Sequence, residues 1–286
     1  MYVLHPSRLA VIYATMKKTD KEDSLKLAHI LEDFREERLP KVAVPSDEEM
    51  GRRKVLASYR REVQSRTRAI SRLHGLLMAQ GVTTMRRKDL ATALRRQEAV
   101  KQLGGFEREE AEHLLQCLEL YEARIAALGR RVDKEAAEDE QMQRLQTVPG
   151  VGPKVSFAFV AHVAAERFEN AAQVSNYLGL VPRVYISGDT VRYGKITKRG
   201  NGYVRALLVQ AAWSIVRTKS AGNLKLRYEY MTKEKGMSKK KTIVGIARRL
   251  GELLYTLMRD GTSYEPRPFN KSKGVGKALA QLALSA

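Results

Sequence analysis

Apolar residues recur at three- and four-residue spacings over much of the chain, a pattern that predicts a mainly helical protein. One helix is expected to begin in the segment KTDKEDSLKLAHILEDF, where Thr19 and Glu22 form a capping box. Two more are expected over residues 48–78 and 88–103, each with glycine shortly after its end. The amphipathic segment IVGIARRLGELLYTLMRD predicts a last long helix.

The clearest periodic signal lies in residues 105–142. Its apolar positions alternate at spacings of three and four, with charged residues on the flanks: Ala111, Leu114, Leu118, Tyr121, Ile125, Leu128 and Val132. This is the heptad seam of a coiled coil, which requires a partner helix. The partner is either a second copy of the chain, which would give a dimer or tetramer, or another helix of the same domain.

A glycine-rich turn follows in the segment VPGVGPK. Its Pro-Gly-x-Gly pattern is typical of a helix-hairpin-helix turn, in which glycines let backbone amides approach a phosphate and the next helix adds its N-terminal dipole. Gly150, Gly152 and Lys154 are therefore candidate nucleic-acid contacts. The alternative interpretation is a turn between two packed helices that binds nothing.

The segment NYLGLVPRVYISGDTVRYG predicts a β-hairpin, with strands over 184–186 and 190–192 and a turn that starts at Ser187. A serine at a turn commonly bonds the local backbone, which is one interpretation of this residue. The other is a nucleophile, which would need cations nearby to neutralise the charge that grows on phosphorus. Basic residues surround this serine along the chain: Arg183, Arg192, Lys195, Lys198, Arg199 and Arg205.

Charge points to a polyanionic partner, and nucleic acid is the first candidate. Lys and Arg outnumber Asp and Glu by 52 to 32, a net charge of +20, which exceeds what solubility requires. Residues 183–249 hold seventeen of these cations and only three acids, so most of the excess lies there. We therefore expect the polyanion to dock on the C-terminal part of the chain.

The cysteine content and the hydropathy of the sequence indicate the cellular compartment in which the protein is expected. The single cysteine, Cys117, excludes intrachain disulfides and cysteine zinc sites, and this fits a reducing compartment. No stretch approaches the roughly 18–20 apolar residues of a membrane-spanning helix. The sequence therefore predicts a cytoplasmic protein with no membrane partner.

Four segments, in their order and spacing, resemble the DEDD transposases of the insertion-sequence one-ten class, which are site-specific DNA recombinases guided by a bridge RNA. The segments are KTDKEDS, VPGVGPKVS, YLGLVPRVYISGDTVRYGKITKRGNGYVRALLVQAA and KTIVGIARRLGELLYTLM. The resemblance covers residues 2–264. It implies DNA and a structured guide RNA as partners, and a homo-oligomer, since recombinases cut and exchange strands at two sites.

The resemblance also implies an architecture. Members of this class join an RNase-H-like (RuvC-like) domain, a coiled coil and a C-terminal transposase domain. In this chain these correspond to residues 1–104, 105–142 and 143–286. The expected fold class is therefore mainly α with a small β component, and the last domain carries the helix-hairpin-helix-like turn and the hairpin.

Catalytic residues follow from the same resemblance. Its serine nucleophile matches Ser187, and its paired aspartates match Asp20 and Asp23, which would hold Mg²⁺ or another divalent metal. The spacing of the pair fits this role, because carboxylates at i and i+3 share a helix face and Mg²⁺ prefers oxygen ligands. The alternative is that these aspartates only interact with the helix dipole.

The sequence departs from the class pattern before the paired aspartates. The class places its first aspartate and its glutamate on strands upstream of that pair, and only nineteen residues precede Asp20 here. We therefore expect an N-terminally truncated enzyme that binds Mg²⁺ weakly and recombines DNA poorly. The alternative is a noncatalytic remnant that binds DNA or RNA through phosphates without cutting.

Overall fold

The computed structural model describes residues 3–4, 19–33, 42–187, 190–218 and 222–266. These residues are mainly helical and include a two-stranded antiparallel sheet, which confirms the predicted mixture of much α with little β. They belong to two compact units, residues 1–48 and 49–286. The RNase-H-like character and the three-domain division stay predictions.

The first unit contains helix α1 (Asp20–Asp33), which begins directly after the predicted capping residue Thr19. The backbone amide of Val42 donates to the carbonyl oxygen of Val3 at 2.7 Å. Residues 1–2, 5–18 and 34–41, which form much of the predicted RNase-H-like remnant, lie outside the described part of the chain.

Between residues 47 and 266, the described segments form a succession of helices interrupted by a hairpin. The elements are α2 (Asp47–Ala79), α3 (Ala93–Val100), α4 (Gly105–Glu138), α5 (Glu140–Gln146), α6 (Pro153–His162), α7 (Ala171–Tyr177), β1 (Pro182–Ser187), β2 (Thr190–Ile196), α8 (Gly202–Arg217), α9 (Gly222–Glu229) and α10 (Lys239–Asp260). A five-residue π-turn, Tyr230–Glu234, follows α9 directly.

The two longest helices, α2 and α4, pack side by side in opposite directions. Arg52, near the start of α2, pairs with Asp139 just beyond the end of α4, with 2.7 Å between the guanidinium and carboxylate atoms. Arg72, near the end of α2, pairs with Glu110 near the start of α4, also at 2.7 Å. Ion pairs at both ends fix an antiparallel alignment of two helices that are each about 50 Å long.

The predicted heptad seam is occupied by this helix pair. Five seam residues are buried, and the other two, Tyr121 and Ile125, are half-buried. One core cluster combines residues of α2 and α4: Ala69, Leu73, Leu77, Ala111, Leu114 and Leu118. The structure therefore gives the seam a partner from the same chain. Association of two copies stays a prediction.

The main core lies under α10, the helix predicted from the last amphipathic segment. Its apolar face packs on α5, α7 and α8, with Leu250, Leu254 and Tyr255 fully buried. The hydroxyl of Tyr255 donates to the carbonyl oxygen of Phe168 at 2.6 Å, and the two rings meet edge to face. Gly261 ends α10 in the left-handed conformation, as a C-terminal glycine commonly does. This core is the platform from which the hairpin projects.

Candidate nucleic-acid interface

The hairpin carries Ser187 on one of its two faces. Strands β1 and β2 pair so that Ser187 lies opposite Thr190, and Tyr185 lies opposite Arg192. Side chains alternate between faces along a strand, and directly opposed residues share a face. One face of the hairpin, which we call the serine face, therefore carries Ser187, Thr190, Tyr185 and Arg192.

Both strands of the hairpin are longer than predicted, and Ser187 is the last residue of β1. Gly188 and Asp189 of the predicted turn lie outside the described residues.

Packing around Gly194 adds a second arginine to the serine face. A Cβ atom at Gly194 would lie 3.0 Å from the Tyr185 ring and 3.6 Å from Cβ of Arg183. The tyrosine ring thus covers the glycine, and the stem of Arg183 runs beside it. Ser187 consequently shares its face with two arginines, Arg183 and Arg192, and all three side chains are exposed to solvent.

The opposite face of the hairpin is apolar. Val184 lies opposite Tyr193, and Ile186 lies opposite Val191. These four side chains are between 43% and 63% exposed, so neither face of this two-stranded sheet is covered by the described part of the chain. The hairpin therefore projects from the domain and presents chemically different surfaces on its two sides.

Two glycines allow close backbone contacts at the base of the hairpin. Gly179 (φ +67°) lies before β1 and Gly200 (φ +89°) lies after β2. A Cβ atom at Gly179 would overlap the carbonyl oxygen of Arg199, and one at Gly200 would overlap the carbonyl oxygen of Tyr177. The amide of Lys198 also donates to the carbonyl oxygen of Gly179 at 3.1 Å. These contacts cross-link the two segments that lead into and out of the hairpin.

The remaining predicted cations differ in what they contact. Lys195, Lys198 and Arg199 are exposed along β2 and the segment after it, and Lys198 has a left-handed backbone (φ +54°). Arg205, in the first turn of α8, donates to the carbonyl oxygen of Leu178 at 2.9 Å. Arg205 therefore helps to hold the base of the hairpin. Direct contact of these cations with nucleic acid stays a prediction.

The start of α8 is tied to the end of α6. Asn201 caps α8, because its side-chain oxygen accepts the backbone amides of Tyr203 at 2.8 Å and Val204 at 3.3 Å. Its side-chain nitrogen lies 3.0 Å from Nε2 of His162. Burial, together with the positive charge of Arg53, lowers the pKa of His162 to about 4. The imidazole is therefore neutral at physiological pH.

His162 gives the protein a predictable pH dependence. Its folded pKa lies below the ordinary value of 6.5, so stability is fully present above pH 6.5 and is lost as pH falls toward 4. The limiting slope for such a group is about 1.4 kcal/mol per pH unit, and partial exposure of the ring reduces the expected loss to about 1–2 kcal/mol over the window. Urea unfolding at several pH values should show this slope reduced in His162→Gln. The exposed residue His113 supplies the control, and an equal reduction in His113→Gln would contradict the assignment.

The glycine-rich turn before α6 combines packing with exposure. Gly150 (φ +85°) lies against α8, where a Cβ atom would come within 3.0 Å of the side chain and the amide nitrogen of Ile215. Packing against α8 is thus sufficient to require glycine at this position, and contact of Gly150 with a phosphate stays a prediction. Gly152 caps α6 and has open space around it, and Lys154 is exposed. The side of the turn that faces solvent is therefore formed by Gly152 and Lys154.

Sequence reasoning missed Tyr59, which lies beside Lys154, and the pair Arg60 and Tyr203, which lies near Tyr59. The Lys154 ammonium donates to the hydroxyl of Tyr59 and stands 4.5 Å from the centre of its ring. The Arg60 guanidinium lies 5.5 Å from the centre of the Tyr203 ring. Burial, followed by the proximity of Tyr59, raises the pKa of Tyr203. Tyr59 and Lys154 are 95 residues apart, and no sequence pattern links them.

A second cluster that the sequence did not reveal surrounds Glu252 on α10. Its carboxylate accepts from Arg248 Nε at 2.9 Å, from Arg249 Nη1 at 3.0 Å and from the Ser175 hydroxyl at 2.9 Å. Arg227 of α9 adds a third guanidinium nearby. Burial and the charge of Arg249 lower the pKa of Arg227, and Glu252 opposes that shift.

The predicted metal ligands lie on α1. Asp20 opens this helix with an exposed side chain, and its backbone carbonyl oxygen accepts from the Ser24 hydroxyl at 2.7 Å. Asp23 follows one turn later on the same helix, and its side chain lies outside the described part of the structure. No group of three or more His, Cys, Asp or Glu residues suited to a metal ion occurs among the described residues. Oxygen ligands at i and i+3 fit Mg²⁺ chemically, and the metal site stays a prediction.

No helix of the described segments combines the length and apolar character needed to cross a bilayer.

Comparison with known proteins identifies the family. Residues 142–229, which include the hairpin, match the family model described as Transposase IS116/IS110/IS902 family. A probable family 20 transposase of Pseudomonas aeruginosa is 30% identical over 262 residues, which span 87% of this chain and 75% of that protein. A putative transposase, y4rJ, of Sinorhizobium fredii is 28% identical over 270 residues, spanning 87% of this chain and 68% of its own length.

A third relative is the transposase for insertion sequence element IS1111A of Coxiella burnetii. It is 30% identical over 213 residues, which span 71% of this chain and 57% of that protein. The matches thus extend well beyond the hairpin segment to most of the chain. The resemblance inferred from the four sequence segments is confirmed at the level of the family, and the chain belongs to the IS116/IS110/IS902 family of transposases.

Proposed function

We propose that this transposase cuts and rejoins DNA with Ser187 as its nucleophile. The observation that carries the proposal is the serine face, on which an exposed hydroxyl stands at the strand end and shares that face with Arg192 and Arg183. Guanidinium groups pair with phosphate oxygens through two parallel hydrogen bonds. Arg192 is the diagonal neighbour of Ser187 across the two strands, at a spacing of about 7–8 Å, so a phosphodiester held by its guanidinium would have its phosphorus within reach of the serine.

In the proposed step, Ser187 Oγ attacks the phosphorus of a DNA phosphodiester. The Oγ–P bond forms while the bond from phosphorus to one DNA oxygen breaks. The serine proton passes to a general base, and the departing oxygen takes up a proton from solvent. The protein–DNA linkage is itself a phosphodiester and replaces the one that was broken, so a hydroxyl from another DNA strand can attack it and complete the exchange.

The hairpin base supports this role by fixing the position of the nucleophile. Gly179, Gly200 and Arg205 hold both ends of the hairpin to the domain through backbone contacts. Positioning reacting groups in advance lowers the entropic part of the barrier, and displacement by 1 Å can cost about 100-fold in rate. The serine is thus placed on a projecting element whose base is rigid.

Mg²⁺ and RNA complete the proposal. Asp20 and Asp23 would hold Mg²⁺, and the chemistry that this ion supplies when bound is stabilisation of negative charge on phosphate oxygens. A structured guide RNA would select the DNA site, and the net charge of +20 supports binding of RNA as well as of DNA, since both are polyanions. Activity should accordingly be lost when the RNA that copurifies with the protein is removed with ribonuclease, and it should return when that RNA is added back.

The arginine on the serine face gives a direct test. Arg192→Gln is expected to slow DNA cleavage on the order of 100-fold, the usual effect of removing one donor to a developing anion. Cleavage is measured in single-turnover assays at saturating DNA, with DNA that carries the native flanks of the coding region. Saturation separates the chemical step from binding.

The matched control is Lys240→Gln, which removes the same charge from an exposed position on α10. It should leave the single-turnover rate within about threefold of the wild-type rate, because bulk charge affects binding more than chemistry at saturation. Equal rates for the two variants would show that the serine face plays no part in cleavage.

A further inference from the structure

The cluster around Glu252 contains more guanidinium donors than its one carboxylate can satisfy. Each arginine carries five N–H donors. Arg248 uses Nε and Arg249 uses Nη1 to reach the carboxylate, which leaves most donors of both side chains uncommitted. Arg227 makes no hydrogen bond or ion pair within the described segments of the chain. The cluster thus combines three positive charges with one negative charge.

Arg227 is the unusual member, because an arginine without a partner is normally fully solvated. Its side chain is half-buried on α9, and its charge lies close enough to Arg249 to feel repulsion. Burial of an unpaired charge beside a like charge is unfavourable unless an anion compensates it. The lowered pKa of Arg227 is consistent with that cost. Within the described segments the cluster therefore carries two positive charges more than its one carboxylate compensates.

Glu252 acts as an anchor in this arrangement. Its side chain is only 13% exposed, and its carboxylate accepts a hydrogen bond from the Ser175 hydroxyl of α7. The carboxylate in turn fixes Arg248 and Arg249 on α10, which reduces the entropy that these side chains would lose on binding a ligand. Preorganised guanidinium groups with free donors are suited to phosphate, which accepts hydrogen bonds on several oxygens.

We propose that Arg227, Arg248 and Arg249 form a second phosphate-binding site, which holds a backbone phosphate of the nucleic acid at a place separate from the serine face. This inference rests on the proposed function for the identity of the polyanion. The site would position the nucleic acid without reading its bases, because phosphate contacts carry no sequence information. Its residues lie outside the hairpin and take no part in the chemical step.

Salt dependence tests this site. Each neutralised phosphate on duplex DNA contributes about −0.9 to the slope of log K against log salt concentration. Arg227→Gln and Arg249→Gln are each expected to make that slope shallower by about 1, and to weaken binding of unrelated duplexes by the same factor. Binding of the full chain to fluorescent DNA duplexes, and in a second arm to the copurifying RNA, is measured from 50 to 300 mM salt. A slope change in one arm alone identifies which nucleic acid the site holds.

Two further variants make the outcome unambiguous. Arg227→Lys keeps the charge, so it should retain the wild-type slope, whereas Lys233→Gln removes an exposed charge next to α9 and should change the slope by much less than 1. Thermal unfolding of each variant is measured in parallel, and Arg227→Gln should be at least as stable as the wild type, because it removes an unpaired charge beside Arg249 and loses no partner. Unchanged slopes in both arms for Arg227→Gln and Arg249→Gln, with or without a loss of stability, would overturn the proposal.

Failure of this inference can be told apart from failure of the proposed function. If Ser187→Ala abolishes the covalent product while the slopes of the arginine variants stay unchanged, then the serine mechanism stands and the second site does not exist. If no covalent product forms in the wild type while the slopes change as expected, then the chain binds nucleic acid through this site but does not cut by the proposed route.

Discussion

Replacement of Ser187 by alanine is expected to reduce transposition from the level of the wild type, however low, to the background of the assay. Loss of the nucleophile removes the covalent route itself, whereas loss of a neighbouring group only slows it. The measurement is excision and integration in cells of a donor plasmid that carries the native DNA flanking the coding region. Protein levels are compared by immunoblotting, so that reduced expression cannot imitate the effect.

Thr190 supplies the control for this experiment. It lies directly opposite Ser187 in the hairpin, carries the same functional group and shares the serine face. Thr190→Ala should keep at least about a third of wild-type activity, because exposed surface substitutions change stability by no more than about 0.5 kcal/mol. Comparable losses in the two variants would indicate that the face needs hydroxyl groups for binding, and that Ser187 has no special chemical role.

Replacement of Gly200 by alanine is expected to destabilise the protein by about 3–5 kcal/mol, a large part of the 5–15 kcal/mol that typically holds a domain together. The left-handed backbone at this position (φ +89°) costs an alanine about 1–2 kcal/mol. The added Cβ would also overlap the carbonyl oxygen of Tyr177, and relief of that overlap would require backbone movement. Urea unfolding followed by circular dichroism measures the change.

Gly81→Ala separates the two contributions. Gly81 also has a left-handed backbone (φ +75°), but open space surrounds the position of its missing Cβ. This variant should lose only about 1–2 kcal/mol, the conformational part alone. If both glycine variants lost the same stability, the cross-link between Gly200 and Tyr177 would contribute nothing to the hairpin base.

Local sequence patterns predicted elements well and the partners of those elements poorly. The spacing of apolar residues in α4 correctly marked Leu114, Leu118, Leu128 and Val132 as buried. The same spacing is compatible with a helix from a second copy and with a helix from the same chain. Only the ion pairs that join the ends of α2 and α4 identify the internal partner, and they join residues far apart in sequence.

The hairpin likewise was predicted as an element, whereas the residues that share each of its faces were not. Its existence followed from alternating residues around a turn, yet its two faces depend on the register of pairing, and a shift by one residue exchanges them. The irregularity in the pairing between Pro182 and Val184 also could not be predicted from the sequence. The serine face could therefore be assembled only from the structure.

Glycines and arginines can have structural roles that a local pattern does not show. Gly150 fits a phosphate-binding motif by sequence, and its close approach to Ile215 of α8 adds a packing reason for glycine. Arg205 is predicted to contact nucleic acid, and its guanidinium also donates to the carbonyl oxygen of Leu178. The cluster at Glu252 escaped notice because its members come from three helices. Such contacts depend on tertiary packing, which no local pattern records.

The central claim is that Ser187 forms a covalent bond to DNA, and the most direct measurement is to map that bond. The full chain is incubated with its RNA, Mg²⁺ and DNA that carries the native flanks, then denatured, digested with nuclease and protease, and analysed by mass spectrometry. The account predicts a nucleotide attached to the peptide that contains Ser187, and no such adduct in Ser187→Ala. An adduct on another residue, or efficient strand exchange with no protein–DNA adduct at any time, would contradict it.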